Sequence, residues 1–553
     1  MSFINVIKEM YKDEIKEFTK YLINLEDEVD RGKAPEEKLK KYEILEDPII
    51  PSKLVSILLT GFAYNHKYGN PSPIKPYPGL LSNIIELDEK DKAYINYHAL
   101  TTYLVKRYCI FSFKKSIYIY KEDKFVENEG EIIKLIESIL ISKGIADRKK
   151  IKDTVAEVLM RIQARTACRE FPFNYLGSEF IPLQNGVLWR EEYRLFPHSP
   201  AFGYTYRLPI KYNPEAKCPK IDKFLSEVVE EKNIPVLYEI PASCLLQSTQ
   251  YQHAYMLVGE GSNGKSTFTE LVERFLGKTN VSNVSLQELC NDRFKAAQLV
   301  DKLANIHADI PKYPIRYTGR FKMLAGGDRM TVEKKYKDPF EFENKARLIF
   351  SANEMPEVSD QTYAFWRRWI LIPFPNKFPP NPGLIDELTT EEELSGFLNK
   401  VLFALTSIEI KGVTETDVIE KTKEMWMKSS NSAYAFVKDC IETDVTGFEE
   451  KDVVYSAYVN YCEENNLRAM PKNKFSMELH RFASATSGRR RVEGKRVQVY
   501  EKIRLKCVGE EEEVKEESKA DIEIESLDEW DWKKDELEEL EEIALSESEK
   551  EGK

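Results

Sequence analysis

Residues 259–267 read Gly-Glu-Gly-Ser-Asn-Gly-Lys-Ser-Thr and fit G-x-x-x-x-G-K-[ST], a phosphate-binding loop. Each residue type suits one part of holding a triphosphate. Gly259, Gly261 and Gly264 let the backbone turn tightly and aim its N–H groups at phosphate. Lys265 can reach the β- and γ-phosphates, and the Ser266 hydroxyl suits Mg²⁺. Asn263 and Thr267 complete the candidate nucleotide-binding set. The pattern implies a bound nucleotide such as ATP and leaves open what its hydrolysis drives.

The flanking elements agree with that chemistry. His253–Val258 is an apolar run that predicts a buried strand, and Ser266–Leu276 predicts a helix with Phe268, Leu271, Val272 and Phe275 on one face. Strand, glycine loop and helix N-terminus form the arrangement an anion site requires. A metal-linked acid is expected at the end of a neighbouring strand. Leu303–Ile306 is such a strand and Asp309 follows it. No second acid adjoins Asp309, so Asp301, His307 and Glu333 stay open as groups that polarise the attacking water. Arg347–Asn353 is an apolar strand ending on an amide; Asn353 can orient water or the γ-phosphate, or simply cap a turn before Pro356. Arg367 and Arg368 sit at the edge of the apolar run Trp369–Phe374. A guanidinium there can stabilise charge on a transferring phosphoryl group, or form an ordinary surface ion pair.

At 553 residues the chain has room for roughly three to four domains. No apolar run approaches the roughly 18 residues that span a bilayer, and the start lacks a signal-peptide core, so a cytoplasmic protein is expected. The eight cysteines form no pattern with zinc-ligand spacing. The net charge of −12 is unevenly spread. Glu510–Lys553 holds 21 acidic and 6 basic residues, which leaves the rest of the chain slightly basic. Local basic surfaces for nucleic acid are compatible with that balance.

The expected class is multidomain α/β. Residues 1–95 read as a mainly helical region of unknown role, and 96–234 as a helical or mixed domain. Residues 235–405 alternate strands and helices as an α/β ATPase does. Residues 415–507 read as helices followed by a basic hairpin with winged-helix-like character, and 508–553 as an acidic disordered tail. In the hairpin, Arg489, Arg490, Arg491, Lys495 and Arg496 flank a turn at Gly494. The helix before it, within 473–487, presents Lys474, His480 and Arg481. Helix and wing together suit duplex DNA, or the arms are a solvated basic face.

Four blocks in order resemble the superfamily 3 helicases of the AAA+ class, in the branch of poxvirus, phage and archaeal-plasmid primase–helicases. They are the loop 259–267, Leu303–Asp309, the stretch from Lys322 through Gly326-Gly-Asp328 to Asn353-Glu-Met-Pro356, and Trp366-Arg-Arg368. The resemblance extends over about 100–505. It implies an ATP- and Mg²⁺-dependent hexameric ring helicase acting on single-stranded DNA in replication. Lys265 and Ser266 then bind phosphate and metal, Asp309 is the metal-linked acid and Asn353 the sensor. Arg368 is the first choice for an arginine finger and Arg367 the second. Thr331–Phe340 matches a hairpin in the ring's channel, so Lys334, Lys335 and Lys337 would grip DNA phosphates. A replication initiator or loader that melts origin DNA is the alternative. Two departures stand out. Only one acid follows the second strand, and residues 1–95 are too short for a primase domain, which points to a separate primase or polymerase partner.

Overall fold

The computed structural model describes residues 84–506, apart from breaks at 88–92, 114–115, 169–176, 199, 312, 316, 336–337, 359 and 493–494. Most of the mainly helical region expected over residues 1–95, the acidic tail, Gly494 and Lys337 lie outside the described residues. Residues 85–87 and 93–95, inside the region expected to be mainly helical, pair as two short antiparallel strands.

A five-stranded sheet carries the candidate site. Its strands are β1 (Ala254–Val258), β2 (Val281–Ser282), β3 (Ala304–His307), β4 (Arg347–Ala352) and β5 (Trp369–Pro373). Their order is β2–β3–β4–β1–β5 and every neighbour pair is parallel. A parallel sheet is covered on both faces, so its strands read as nearly continuous apolar runs. Side chains still alternate along each strand. Tyr255, Leu257, Ile349, Ile370 and Ile372 enter one core, with Phe268 and Phe275 of the helix Lys265–Leu276 and with Phe397 and Leu405 of the helix Glu391–Lys411. Met256, Leu348, Phe350, Trp369 and Leu371 enter a second core with Phe321, Phe365, Trp366 and Trp426.

The first core continues beyond the sheet. It takes in the three-stranded meander Phe180–Leu183, Gly186–Trp189 and Arg194–Phe196 and the helices Pro219–Val228 and Ile234–Leu245. Ahead of this, a four-stranded sheet packs with the helices Tyr97–Tyr108, Glu129–Ser142 and Arg148–Arg165 around a separate core. After the central sheet, the helix Asp417–Ser430 brings Trp426 into the second core, its indole N–H donating to the Pro356 carbonyl at 2.9 Å. The last described unit runs in the order helix 432–440, strand 441–450, helices 451–464 and 472–483, then strands 486–492 and 495–505. It has its own core around Phe436, Tyr458, Phe475 and Leu479.

Candidate nucleotide site and basic hairpins

Because the five strands are parallel, their carboxyl ends lie along one edge. Val258 is level with Ala352 and Pro373, and His307 with Phe350. The loops that follow β1, β3 and β4 therefore converge, and ligands of such sheets bind at this edge.

The phosphate loop is shaped by contacts that exclude side chains at two of its glycines. Gly264 caps the following helix at φ +89°, and a Cβ there would lie 2.6 Å from Val228. A Cβ at Gly259 would meet the Phe374 carbonyl at 2.5 Å. Gly261 meets no such wall. The segment after β5 closes over the loop: the Asn263 amide donates to the Phe374 carbonyl at 3.2 Å, and the Phe378 N–H donates to Ser262 at 2.8 Å. Lys377 pairs with Glu260 at 2.7 Å. Sequence reasoning missed this strap, since its contacts run mainly through backbone atoms.

Lys265, Asn353 and Asp309 meet as expected. Lys265 is 4% exposed, and its ammonium donates to the Gly259 carbonyl at 2.6 Å, Asn263 Oδ1 at 3.0 Å and Asn353 Oδ1 at 3.1 Å. The Asn353 amide in turn donates to Asp309 Oδ1 at 3.4 Å. Burial lowers the Lys265 pKa from the usual lysine range, and the Asp309 carboxylate opposes that shift. Asp309 is exposed, in left-handed backbone at φ +53°, with its N–H on the Ser351 hydroxyl at 3.2 Å. Ser266 is exposed on the first turn of the helix, and Thr267 is half-buried beside it.

This donor set fits a Mg²⁺–nucleotide. The three oxygens around Lys265 stand where phosphate oxygens would compete for it. One hydroxyl and one carboxylate suffice for Mg²⁺, which keeps several waters and shares phosphate oxygens. When bound, the ion would supply charge neutralisation at the phosphates. Lys265 would hold the phosphates, Ser266 and Asp309 the metal, and Asn353 would fix water or a γ-oxygen between Lys265 and Asp309.

Among the alternatives for polarising water, Asp301 precedes β3 and so lies toward the other edge, where it accepts from the Tyr118 hydroxyl at 3.3 Å. Glu333 pairs with Arg293 at 3.4 Å. His307 ends β3 on the phosphate edge, with Nδ1 2.6 Å from Asn283 Oδ1.

The two arginines lie at the opposite edge. The Arg368 carbonyl accepts from Ala254, the first residue of β1, at 2.7 Å. The phosphate loop follows the last residue of β1, about 15 Å away at strand rise. Arg367 is exposed and bonds the Gln252 side chain. Arg368 is only 7% exposed and bonds the Ala364 carbonyl.

Strands Met330–Val332 and Phe340–Phe342 pair as the expected hairpin. Lys335 is exposed near its tip. Lys334 instead pairs with Glu127 of the preceding region at 3.0 Å.

The second basic hairpin pairs 486–492 with 495–505, placing Arg489 opposite Gln498 and Arg491 opposite Arg496. Like charges directly opposite each other repel. Arg489, Arg491, Lys495 and Arg496 are all exposed. Arg490 points to the other face, pairs with Glu501 at 3.0 Å and lies over the Phe448 ring. Two residues of the preceding helix expected to face DNA are used in packing: Arg481 bonds the Gln361 carbonyl and His480 bonds the Ala485 carbonyl at 2.6 Å. Lys474 is exposed.

Three family descriptions match successive parts of the chain. "D5 N terminal like" matches residues 99–230, "Family of unknown function (DUF5906)" 257–368, and "Poxvirus D5 protein-like" 428–529. These matches make the chain similar to the D5-like branch of superfamily 3 helicases. A protein of Acanthamoeba polyphaga mimivirus named as a helicase candidate is 28% identical over 199 residues, 34% of this chain and 20% of its own length. A similarly named protein of Invertebrate iridescent virus 6 is 28% identical over 147 residues, 24% of this chain and 15% of its own length. The matched part is thus a fifth or less of these viral relatives. The apo C-terminal region of NrS-1 aligns at 12% identity and TM-score 0.41, over 71% of this chain and 96% of that one. Among the described residues, no helix is long and apolar enough to cross a membrane.

Proposed function

We propose that this chain is an ATP-driven, Mg²⁺-dependent ring helicase, a hexamer that moves on single-stranded DNA during replication of a virus, plasmid or integrated element. One observation carries the reading. Lys265, Asn353 and Asp309 gather at one edge of the central sheet, while Arg367 and Arg368 stand at the other. An arginine on the far edge cannot reach its own subunit's nucleotide, so a neighbour must complete the site. Such a guanidinium typically contributes a factor of about 10³ or more to phosphoryl transfer. The wing-like order of helix, strand, two helices and hairpin supports duplex contact by the last unit. A separate primase or polymerase would act beside it.

Mixing inactive Lys265→Ala chains with inactive Arg367→Ala chains tests the shared site. Mixed rings contain some interfaces with both residues, so ATPase should return. No recovery at any mixing ratio would rule out action in trans.

A second reading is an initiator or loader that melts origin DNA without processive unwinding. The Lys334–Glu127 pair favours it, because that pair occupies a lysine the motor would use on DNA. Strand displacement that disappears in Lys335→Ala while ATPase persists would exclude the loader.

A further inference from the structure

Residues 353–368 join the candidate sensor Asn353 to Arg367 at the opposite edge. The helix Gly319–Gly326 packs against this segment and leads through Gly327-Asp328 into the hairpin that carries Lys334 and Lys335. The segment, together with Trp369 that follows it, grips the helix at three points. At its start, Asp360 Oδ2 accepts from Lys322 Nζ at 2.8 Å and from the Thr318 hydroxyl. The other Asp360 oxygen accepts from the Thr362 N–H at 2.9 Å and its hydroxyl at 2.6 Å. Burial opposes ionisation of Asp360, yet these bonds hold its carboxyl well below the usual range. In the middle, the Phe321 ring stacks on Trp369 at 4.6 Å and meets Phe365 at 5.5 Å. At the end, Arg368 Nη2 lies against Gly326, where a Cβ would be 3.4 Å from it and 3.5 Å from the Asp328 carboxylate.

We propose that Asp360 and Arg368 are positioning residues of a clamp that makes the Arg367 segment and the basic hairpin move as one body. The inference rests on the ring reading above and deepens it. A neighbour's nucleotide felt at Arg367 would be passed to the hairpin by a rigid helix held at both ends. Buried interactions of this kind switch between discrete arrangements rather than deform gradually. The clamp also divides the two arginines: Arg367, exposed, faces the neighbour, and Arg368, buried against Gly326, holds the helix.

The test compares ATPase of the full chain with and without oligo-dT. Asp360→Asn should keep its basal rate and lose at least about fivefold of the DNA stimulation. Asp360→Glu should recover part of it. Lys322→Met should resemble Asp360→Asn, and the double variant should be no worse than either single one. Thr318→Val, which removes one bond, serves if Asp360→Asn does not fold. Full stimulation in Asp360→Asn, or in Thr318→Val and Lys322→Met if that variant does not fold, overturns the clamp alone. A parallel fall of basal rate, stimulated rate and melting temperature assigns Asp360 a merely structural role and also overturns it. Wild type without any DNA stimulation overturns the motor reading and the clamp with it.

Discussion

The Lys265 ammonium is buried among three oxygens, whereas Arg489, Arg491 and Arg496 stand exposed and form no ion pair among the described residues. Both regions are basic, and both suit phosphate, but in different ways. The phosphate loop holds one cation in a fixed place and closes around it through Val228, Phe374 and Phe378. Preorganisation of that kind favours one small polyanion in one pose. The hairpin spreads several cations along an exposed ribbon, with Arg491 directly opposite Arg496. Their mutual repulsion is relieved by any line of phosphates, which gives contact without fixed register.

That contrast can be broken most directly at Lys265. Lys265→Ala should lower ATPase by at least about a hundredfold while leaving salt-dependent duplex binding intact. If duplex binding collapses too, the two regions are not independent. A smaller effect is expected at the hairpin. Replacing Arg489, Arg491 and Arg496 by Ala should weaken duplex binding on every sequence. Each lost phosphate contact should reduce the slope of log K against log salt by about 0.9. DNA-free ATPase should not change. An unaltered salt slope would assign the arms to solvent.

The smallest expected effect separates the regions by pH. Burial, reinforced by Arg347, Lys423 and Arg367, lowers His253 to about 4, just ahead of β1. The native state keeps it neutral, while the unfolded chain protonates near pH 6.5. Stability of the central unit should therefore decline as pH falls from 6.5 towards 4, by up to about 3 kcal/mol from this group. Urea midpoints at pH 7 and pH 5, compared between wild type and His253→Gln, check it. The variant should lose less on acidification, and an identical loss in both would remove His253 from the account.

Much of the phosphate site was legible because its parts are local. A glycine turn between a strand and a helix needs residues that adjoin in sequence, and 259–267 supplies them. The strands ending near Asp309 and Asn353 were legible too, because a buried parallel strand leaves an apolar run and its polar residue follows at once. The basic hairpin was visible in the spacing of its charges around a turn. The choice between Arg367 and Arg368 was not visible. Adjacent residues differ in burial only through what packs on them, here Gly326 and Ala364. Nor could the sequence tell that Arg481 bonds Gln361, or Lys334 bonds Glu127, since each pair is distant along the chain.

The sequence by itself therefore determined the chemistry on offer: a loop of phosphate-binding pattern, one candidate metal-linked acid, one candidate sensor amide, two arginines and two basic hairpins. Tertiary structure alone decided which of these meet. Parallel pairing of β4 with β1 and β3 brings Lys265, Asn353 and Asp309 to one edge, and pairing of β1 with β5 sends the arginines to the other. The physical reason is that backbone hydrogen bonds between strands fix edges and register over distances that side-chain patterns cannot encode.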